Sequence, residues 1–560
     1  MNDFENMNVG EQMPPWINSG AFNTYWTYSF IGRSSFYGMI AAPYYDFMHR
    51  WVRQWLYWYD GYVPYFHNQD EGILSTRLAG ALVDRTANKV VGGRIMFKNA
   101  GKEQSADRDA LNLSLKFISG EWAKSTNFQA VIQRAVKYAA AAGTSLIKLN
   151  KDEKGLWAEA LRFDSFLPMV GARGEVEEVK CFLRPFVNLG VKDQNGNQSV
   201  QGYYVVEHRY YGRYQDLAGR TFENVPLVEY IIQPYRGTVT GGDFISQSSS
   251  GRILFRNLPG DVKRSIGKAY SSIMFDRPSR LPFSDLGCEL IKWTEGIGNI
   301  PELPFGESLL SNLISILMSW DYYFSAFNAD MFVGRGRVLV PKYMTGQGPH
   351  AGMDNMLFLK LDTTDPESQK PVPIQFDLRS ASWTEIRNML IQNIAVQLGL
   401  NISTIASFLQ DSTARTAREI STEENETAAF VDNKRTILEI PINRILKKVL
   451  LYYGYGDDVV IRWSGAGLTN RYNLTELISQ AKQSGFLSQY KAIQMFNYDD
   501  DDEQVQEEYE RIKEEENERI SNGFDAQGNS IPSARPPDGE QEDRSGTVFG
   551  DDKTDDKTEE

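Results

Sequence analysis

The sequence is short of the residues that do chemistry. Its 560 residues hold two cysteines, Cys181 and Cys288, and four histidines, His49, His67, His208 and His350. Two cysteines far apart make no disulfide framework, so a reducing compartment is expected. Scattered histidines, with no H-x-x-x-H spacing and no cysteine beside them, exclude the usual zinc patterns. No G-x-x-x-x-G-K-[ST] loop occurs. The nearest stretch, GDVKRSIGKAY, has the wrong spacing and puts Ala269 where a hydroxyl should follow the lysine, so a helical turn is expected there. A G-x-S-x-G elbow is missing, and the short G-x-G of GRGRV follows a predicted helix instead of opening one. Asp499 to Asp502 lack the glycine and distal glutamate of a calcium loop. Asp321, Asp330 and Asp377 show no pairing pattern for acid–base work. No catalytic residue, metal or cofactor is assigned. No apolar run approaches the roughly 18 residues of a membrane span; LLSNLISILMSW is too short and carries Ser and Asn. The N-terminal MNDFENMNVGEQMPPW is acidic and has no apolar h-region. A soluble, intracellularly made protein is expected.

Positive charge is scarce where a tight grip on phosphates would need it. The net charge is −14, but Asp499–Glu560 alone carries −16, leaving the body at +2. Any DNA contact is therefore expected to be weak or transient. What the chain does have is a core: 41% hydrophobic residues, 12% aromatic, 11 Trp and 28 Tyr. The length suggests roughly three to four domains.

Helical and strand patterns alternate in blocks. Residues 1–40 are aromatic and rich in Gly, Asn and Ser, and an irregular arm is expected. Trp51, Trp55 and Trp58 share one helical face, as a core stripe or, less simply, a base-stacking platform. Residues 72–150 predict helices: one ending near Val91, one over Asp107–Ala123, and one over Asn127–Ala142 stopped by Gly143. Residues 144–236 switch to short strands, opening with a hairpin whose turn is Asp152–Gly155; NLGVKDQNGNQS reads as a polar loop. After a loop-rich stretch, Glu307–Asp330 predicts a helix of about 36 Å. Leu309, Leu313, Leu317, Trp320, Phe324 and Phe327 line its apolar face. Arg335 and Arg337 sit where positive charge favours a helix C-terminus. A strand-and-turn insert leads to a second helix, Thr384–Gly399, of about 24 Å, with Ile386, Leu390, Ile394 and Leu398 on its face. Ser382 and Glu385 form a capping box there. The two helices can run antiparallel. A long helix follows over about Thr413–Tyr453. Pro441 lies inside it, and the missing N–H predicts a kink near Ile437–Ile440. GDDVVIRWSG makes a short strand. Two short helices broken at Gly485, an acidic helix and a tail of disordered composition close the chain.

This order of blocks, and several local strings, resemble the portal proteins of tailed double-stranded DNA phages, in particular those of phages of Gram-positive bacteria. WYDGYVPYFH is similar to that family's early Trp/Tyr–Gly–Tyr segment. ESLLSNLISILMSWDYYFSAFNADM is similar to its helix entering the stem, and GRGRVLVP to its clip entry. TARTAREISTEENETAAFVDNKR is similar to the start of its long wing helix, and LISQAKQSGFLSQYKAIQMF with DDEQVQEEYERI to its crown. The resemblance covers about residues 45–520. It implies an α+β, mainly helical, ring-forming fold. The arm would be 1–40, the wing 41–305 with its β-rich subdomain at 144–236, the first stem helix 306–333 and the clip 334–378. The second stem helix would be 379–400, the tunnel loop 401–413, the kinked wing helix 414–455, the crown 456–520 and the acidic tail 521–560.

The resemblance further implies a ring, usually of twelve subunits, at one capsid vertex of the virion, made in the host cytoplasm. It would be the conduit for DNA packaging and ejection. Implied partners are the terminase large subunit, a head-completion or adaptor protein, the major capsid and scaffold proteins, and DNA passing without sequence specificity. No membrane is implied. The tunnel-loop candidates are Asn401, Ser403, Thr404, Ser407, Gln410, Asp411, Ser412 and Thr413, with Arg415 and Arg418 just behind. Small polar groups give only weak, sequence-blind hydrogen bonds, whereas a strongly basic lining would brake a polyanion. Arg415 and Arg418 either face DNA and neighbouring subunits or pair with Glu419 and Glu423. Arg335 and Arg337 mark the clip entry, and Pro441 the kink. Two other classes remain open at this stage: another virion component, such as a capsid or baseplate protein, and a DNA-packaging enzyme.

Overall fold

The computed structural model describes residues 51–61, 74–92, 95–99, 108–171, 174–192, 198–216, 218–240, 243–247, 253–269, 273–296, 304–333, 337–341, 358–361, 372–374, 380–402, 405, 417–455, 459–463, 478–480, 488–496 and 502–521. The chain divides into two units, Met1–Arg471 and Tyr472–Glu560. The N-terminal arm, most of the tunnel loop, the predicted break at Gly485 and the acidic tail lie outside the described residues.

In the first unit the helices are α1 (Arg53–Asp60), α2 (Leu78–Val91), α3 (Arg108–Lys116), α4 (Phe128–Ala142), α5 (Gly260–Ala269), α6 (Ile314–Val333), α7 (Ser380–Leu398) and α8 (Ala417–Tyr453). The strands are β1 (Ile95–Asn99), β2 (Thr144–Asp152), β3 (Gly155–Arg162), β4 (Phe166–Val170), β5 (Val176–Lys192), β6 (Gln198–Gln215), β7 (Thr221–Thr240), β8 (Asp243–Gln247), β9 (Ser279–Arg280), β10 (Cys288–Lys292), β11 (Arg337–Pro341), β12 (Phe358–Leu361), β13 (Val372–Ile374) and β14 (Val459–Trp463). The fold is α+β.

Alanine lets α4 lie close to its neighbours. Ala139 to Ala142 are fully buried, and the helix covers the β2–β3 hairpin and α2. That hairpin turns at Asp152 and Gly155, as the sequence predicts, because the Asp152 carboxylate accepts the N–H groups of Lys154 and Gly155. β10 joins β2 from the other side to complete a three-stranded sheet. α8 packs its buried Leu438, Ile442, Ile445, Leu446, Val449 and Leu450 against β10, β14 and α2. Pro441 lies inside α8, where it has no N–H to offer the Ile437 carbonyl. Asn443 on the same helix accepts the N–H of Ile461 at 2.8 Å, fixing β14 against it.

β4 to β8 form a five-stranded antiparallel meander, and β9, pairing on β7, makes the sheet six-stranded. The polar-loop expectation for NLGVKDQNGNQS is corrected here. β5 runs to Lys192 and β6 starts at Gln198, so strands of 17 and 18 residues absorb most of that stretch. Ladder hydrogen bonding outweighs its poor strand composition. The register shifts between Phe182 and Pro185, which accommodates a proline that cannot donate. β11 pairs parallel with β12 and antiparallel with β13 in a small sheet of its own.

Three further expectations change. Residues 72–150 are not all helical: Ile95–Asn99 is a strand, held by β14 from far along the chain. The Asp107–Ala123 helix is α3 followed by a π-helical turn, Phe117–Trp122, and a last short turn to Ser125. The widened turn buries both Ile118 and Trp122, and the Trp122 indole donates to the Leu156 carbonyl at 2.9 Å. Of the tryptophan stripe, Trp55 and Trp58 are core, while Trp51 is exposed.

The second unit contributes α9 (Gln489–Phe496) and the acidic α10 (Asp502–Ser521). Val505 is buried, and Tyr490 meets Tyr509 edge to face at 5.6 Å.

Candidate functional site

The helix pair α6 and α7 carries exposed apolar side chains on both helices, and its root is tied closely to α4. α4 ends with four alanines and Gly143, leaving carbonyls that need partners. The segment 305–310 supplies them. Leu309 donates its N–H to Ala140 at 2.9 Å, and the Ser308 hydroxyl lies within hydrogen-bond reach of the Ala140 and Ala141 carbonyls. Gly306 donates its N–H to Thr144 Oγ1 at 2.9 Å, and Glu307 to Thr294 Oγ1 at 2.7 Å. Gly143, at φ +82°, accepts the Trp293 N–H. A Cβ on Gly143 would land on the Gly306 carbonyl, and one on Gly306 would land on the Gly143 carbonyl. Two backbones touch here, and only glycine permits it.

This bracket explains a correction to the first predicted stem helix. Leu309 and Leu313 of the predicted face are buried, as is Leu310, but 309–313 folds as turns, and α6 begins at Ile314. The N–H groups of 306, 307 and 309 are committed to α4 and to threonine hydroxyls. α6 therefore spans about 30 Å rather than 36 Å. α7 starts at Ser380, so Ser382 is inside the helix and not its cap. Its far end is a Schellman stop: Gly399, at φ +65°, donates to Val396 O, and Leu400 donates to Ala395 O.

Aromatic contacts tie the pair together. Trp383 in the first turn of α7 donates its indole N–H to Asp330 at 3.0 Å, and its carbonyl accepts the Tyr323 hydroxyl. The Trp383 ring meets Tyr323 and Phe327 edge-on at 5.4 Å and 5.9 Å. A strap from 74–76 grips the other side of α6. Asp321 is 2% exposed and accepts both the N–H and the hydroxyl of Thr76. Burial pushes its carboxyl up, and these two bonds oppose the shift.

The outer faces of both helices remain bare. Phe324, on the predicted apolar face, is exposed, as are Tyr322 and Met331. On α7, Ile386, also on the predicted apolar face, is exposed; Met389 is 53% and Val396 74% exposed. Leu390, Ile394 and Leu398, on the same predicted face, are buried.

Of the tunnel-loop candidates, Asn401 is described and half-buried beside the exposed Ile402. Ser403, Thr404, Ser407, Gln410, Asp411, Ser412, Thr413 and Arg415 lie outside the described residues. Arg418 falls in the first turn of α8, which begins at Ala417. Arg337 opens β11, and Arg335 is outside the described residues.

A buried ionic cluster went unseen in the sequence. Lys148 on β2 reaches Glu207 on β6 at 2.7 Å, and Arg209 reaches the other Glu207 oxygen at 2.6 Å. Arg209 also donates to the carbonyls of Leu149 and Leu286 and to Asn150 Oδ1. All three side chains are 3% exposed or less. Burial works against the Glu207 charge, but Arg209 and Lys148 overcome it and hold the carboxyl down at about 2. Alternating polar residues in strands carry no signal that they will meet in an interior. The cluster bolts the three-stranded sheet to the six-stranded one.

The chemical potential of these sites is low. Burial pushes both cysteine thiols up, away from nucleophilic thiolate. Among the described residues no group of His, Cys, Asp or Glu could hold a metal ion, and no helix is long and apolar enough to cross a membrane. A family model described as phage portal protein, SPP1 Gp6-like, matches residues 68–522, and the chain belongs to that family. The family is structural and not enzymatic. No curated protein matches the chain.

Proposed function

We propose that copies of this chain close into a ring at one capsid vertex of a virion, around a channel for DNA packaging and ejection. In this reading 306–333 and 379–400 form the stem, 334–378 the clip, 456–520 the crown and 401–413 the tunnel loop. The ring docks the terminase large subunit and then a head-completion protein. Capsid and scaffold proteins meet its outside. The chain itself hydrolyses nothing.

The observation that carries the reading is the bare apolar face of α6 and α7. Tyr322, Phe324, Met331, Met389 and Val396 stand in water in one copy. Burying such side chains is worth roughly 1.5–3 kcal/mol each, and a second copy of the same helix pair offers the matching apolar surface. A ring repeats that contact without leaving an end. Met389→Glu with Val396→Glu is expected to leave the protomer folded, since both side chains already face solvent, and to abolish rings in negative-stain microscopy. A double variant that still closes rings would move the interface elsewhere. Hydrolysis of nucleotide or DNA by the pure wild-type protein would overturn the non-enzymatic reading.

Arg415 and Arg418 follow the small polar stretch. If they brush the DNA backbone, Arg415→Ala with Arg418→Ala is expected to give normal rings with altered DNA packaging. Normal rings with unchanged packaging would assign them to pairing with Glu419 and Glu423.

A further inference from the structure

The near-neutral charge of the body conceals a local excess. Between Ile253 and Leu281 the described residues include Arg256, Lys263, Arg264, Lys268, Arg277 and Arg280, against Asp261 and Asp276. All six cations are exposed. Among the described residues none of them forms an ion pair. Elsewhere on the same sheet surface cations are neutralised, Arg213 by Glu223 and Arg220 by Asp216.

The segment has its own small core. α5 sets Val262 and Ile266, one turn apart, against Leu258, Tyr203, Val205 and Ile232. That anchors the helix on the β6–β7 part of the meander and turns Lys263, Arg264 and Lys268 to solvent. Phe255 stacks on Phe275 at 4.6 Å and accepts no freedom on its backbone side, where its N–H donates to Asp276. The stacked pair brings the loops of Arg256 and Arg277 together. The Lys263 ammonium lies 5.6 Å from the Phe255 ring centre, so it joins them. Asp276 accepts that backbone bond and keeps its charge, so among the described residues of this segment six cations face two acids, Asp261 and Asp276.

We infer that this surface, carried by α5 and the two loops clasped by Phe255 and Phe275, binds the phosphate backbone of double-stranded DNA. It is built on the meander and not on the α6–α7 pair. The inference rests on the reading that the protein handles DNA and adds a second place where it does so. Arginine predominates, and its planar fork matches phosphate oxygens two at a time. Cations free of ion pairs among the described residues keep their charge available to a polyanion, and each phosphate neutralised releases counterions. No base-reading group is needed, so the binding is blind to sequence.

The test uses the full chain and fluorescence anisotropy with a random-sequence duplex of about 30 base pairs, titrated at roughly 50–200 mM NaCl. Arg256→Gln with Lys263→Gln and Arg264→Gln keeps the side-chain stems and removes three charges. The expected result is an affinity roughly tenfold or more below wild type at about 0.1 M salt, with a salt slope shallower by roughly 2–3. A control removes three exposed charges elsewhere in the unit, Lys116→Gln, Lys124→Gln and Lys154→Gln, and is expected to bind nearly as wild type. Circular dichroism and melting confirm that both variants fold. Equal loss in both variants, or none in the first, overturns the inference. So does patch-dependent binding of poly-glutamate without binding of DNA, which would assign the surface to an acidic polypeptide. Rings that form normally while DNA binding is absent would sink this inference and leave the proposed function standing.

Discussion

Gly306→Ala is expected to unfold the root of the helix pair. The added methyl meets the Gly143 carbonyl, and the two strands of backbone must separate. Separation breaks the Gly306 N–H bond to Thr144 and strains the Leu309 and Ser308 contacts with α4. Overpacking of roughly 1–3 kcal/mol adds to one buried hydrogen bond left unmade, roughly 1–3 kcal/mol more. Urea unfolding should register a loss of roughly 2–6 kcal/mol, and limited proteolysis should open first around 304–313. A Gly120→Ala control, where nothing lies within 4 Å of the added atom, should change little. Equal stability of the two variants would mean that the backbones do not touch as described.

Glu207→Gln is the second large effect. The amide cannot balance Lys148 and Arg209, which stay buried with, among the described residues, no other acid in ion-pair reach than the part-exposed Glu159 beside Lys148. Breaking such a cluster from one side costs roughly 3–5 kcal/mol. The pH dependence follows from the direction of the shift. The folded carboxyl titrates at about 2, below its ordinary value of 4.5, so the stabilisation it gives is complete above about 4.5 and is lost as pH falls toward 2. Wild type should therefore lose stability across that window. The variant should be weaker at neutral pH and should lack that component of the acid transition. A variant with the wild-type acid profile would show that Glu207 is not the charge that holds the sheets together.

Local chemistry explains what the sequence made legible. The Asp152–Gly155 turn, the stop at Gly143 and the helix through Pro441 are set by residues within a few positions of each other. The family was legible for the same reason, because strings such as TARTAREI and GRGRVLVP keep their order along the chain. Long-range partners were not legible. Ile95–Asn99 reads as part of a helical region until Val459–Trp463 arrives to pair with it. Lys148, Glu207 and Arg209 look like ordinary solvent-side strand residues until two sheets close over them. Periodicity put Phe324 and Ile386 on apolar stripes, and both are exposed in the single chain. An apolar stripe at helical spacing says that a face will be covered, not by what, and a face meant for another copy has the same pattern as a core. The exposed cations around α5 were hidden by a whole-chain charge sum that averages them against acids elsewhere.

The pairing of β1 with β14 has a consequence for synthesis. The first partner leaves the ribosome early, and the second only after the helix pair, the small β11–β13 sheet and the whole of α8 have been made. Until then an apolar strand edge and the underside of α2 wait without their cover. Such late closure makes maturation slow and exposes nascent chains to one another. Polypeptides truncated before Val459 should accordingly clump, and cells producing the protein faster than their chaperones can shield it should accumulate it as insoluble material.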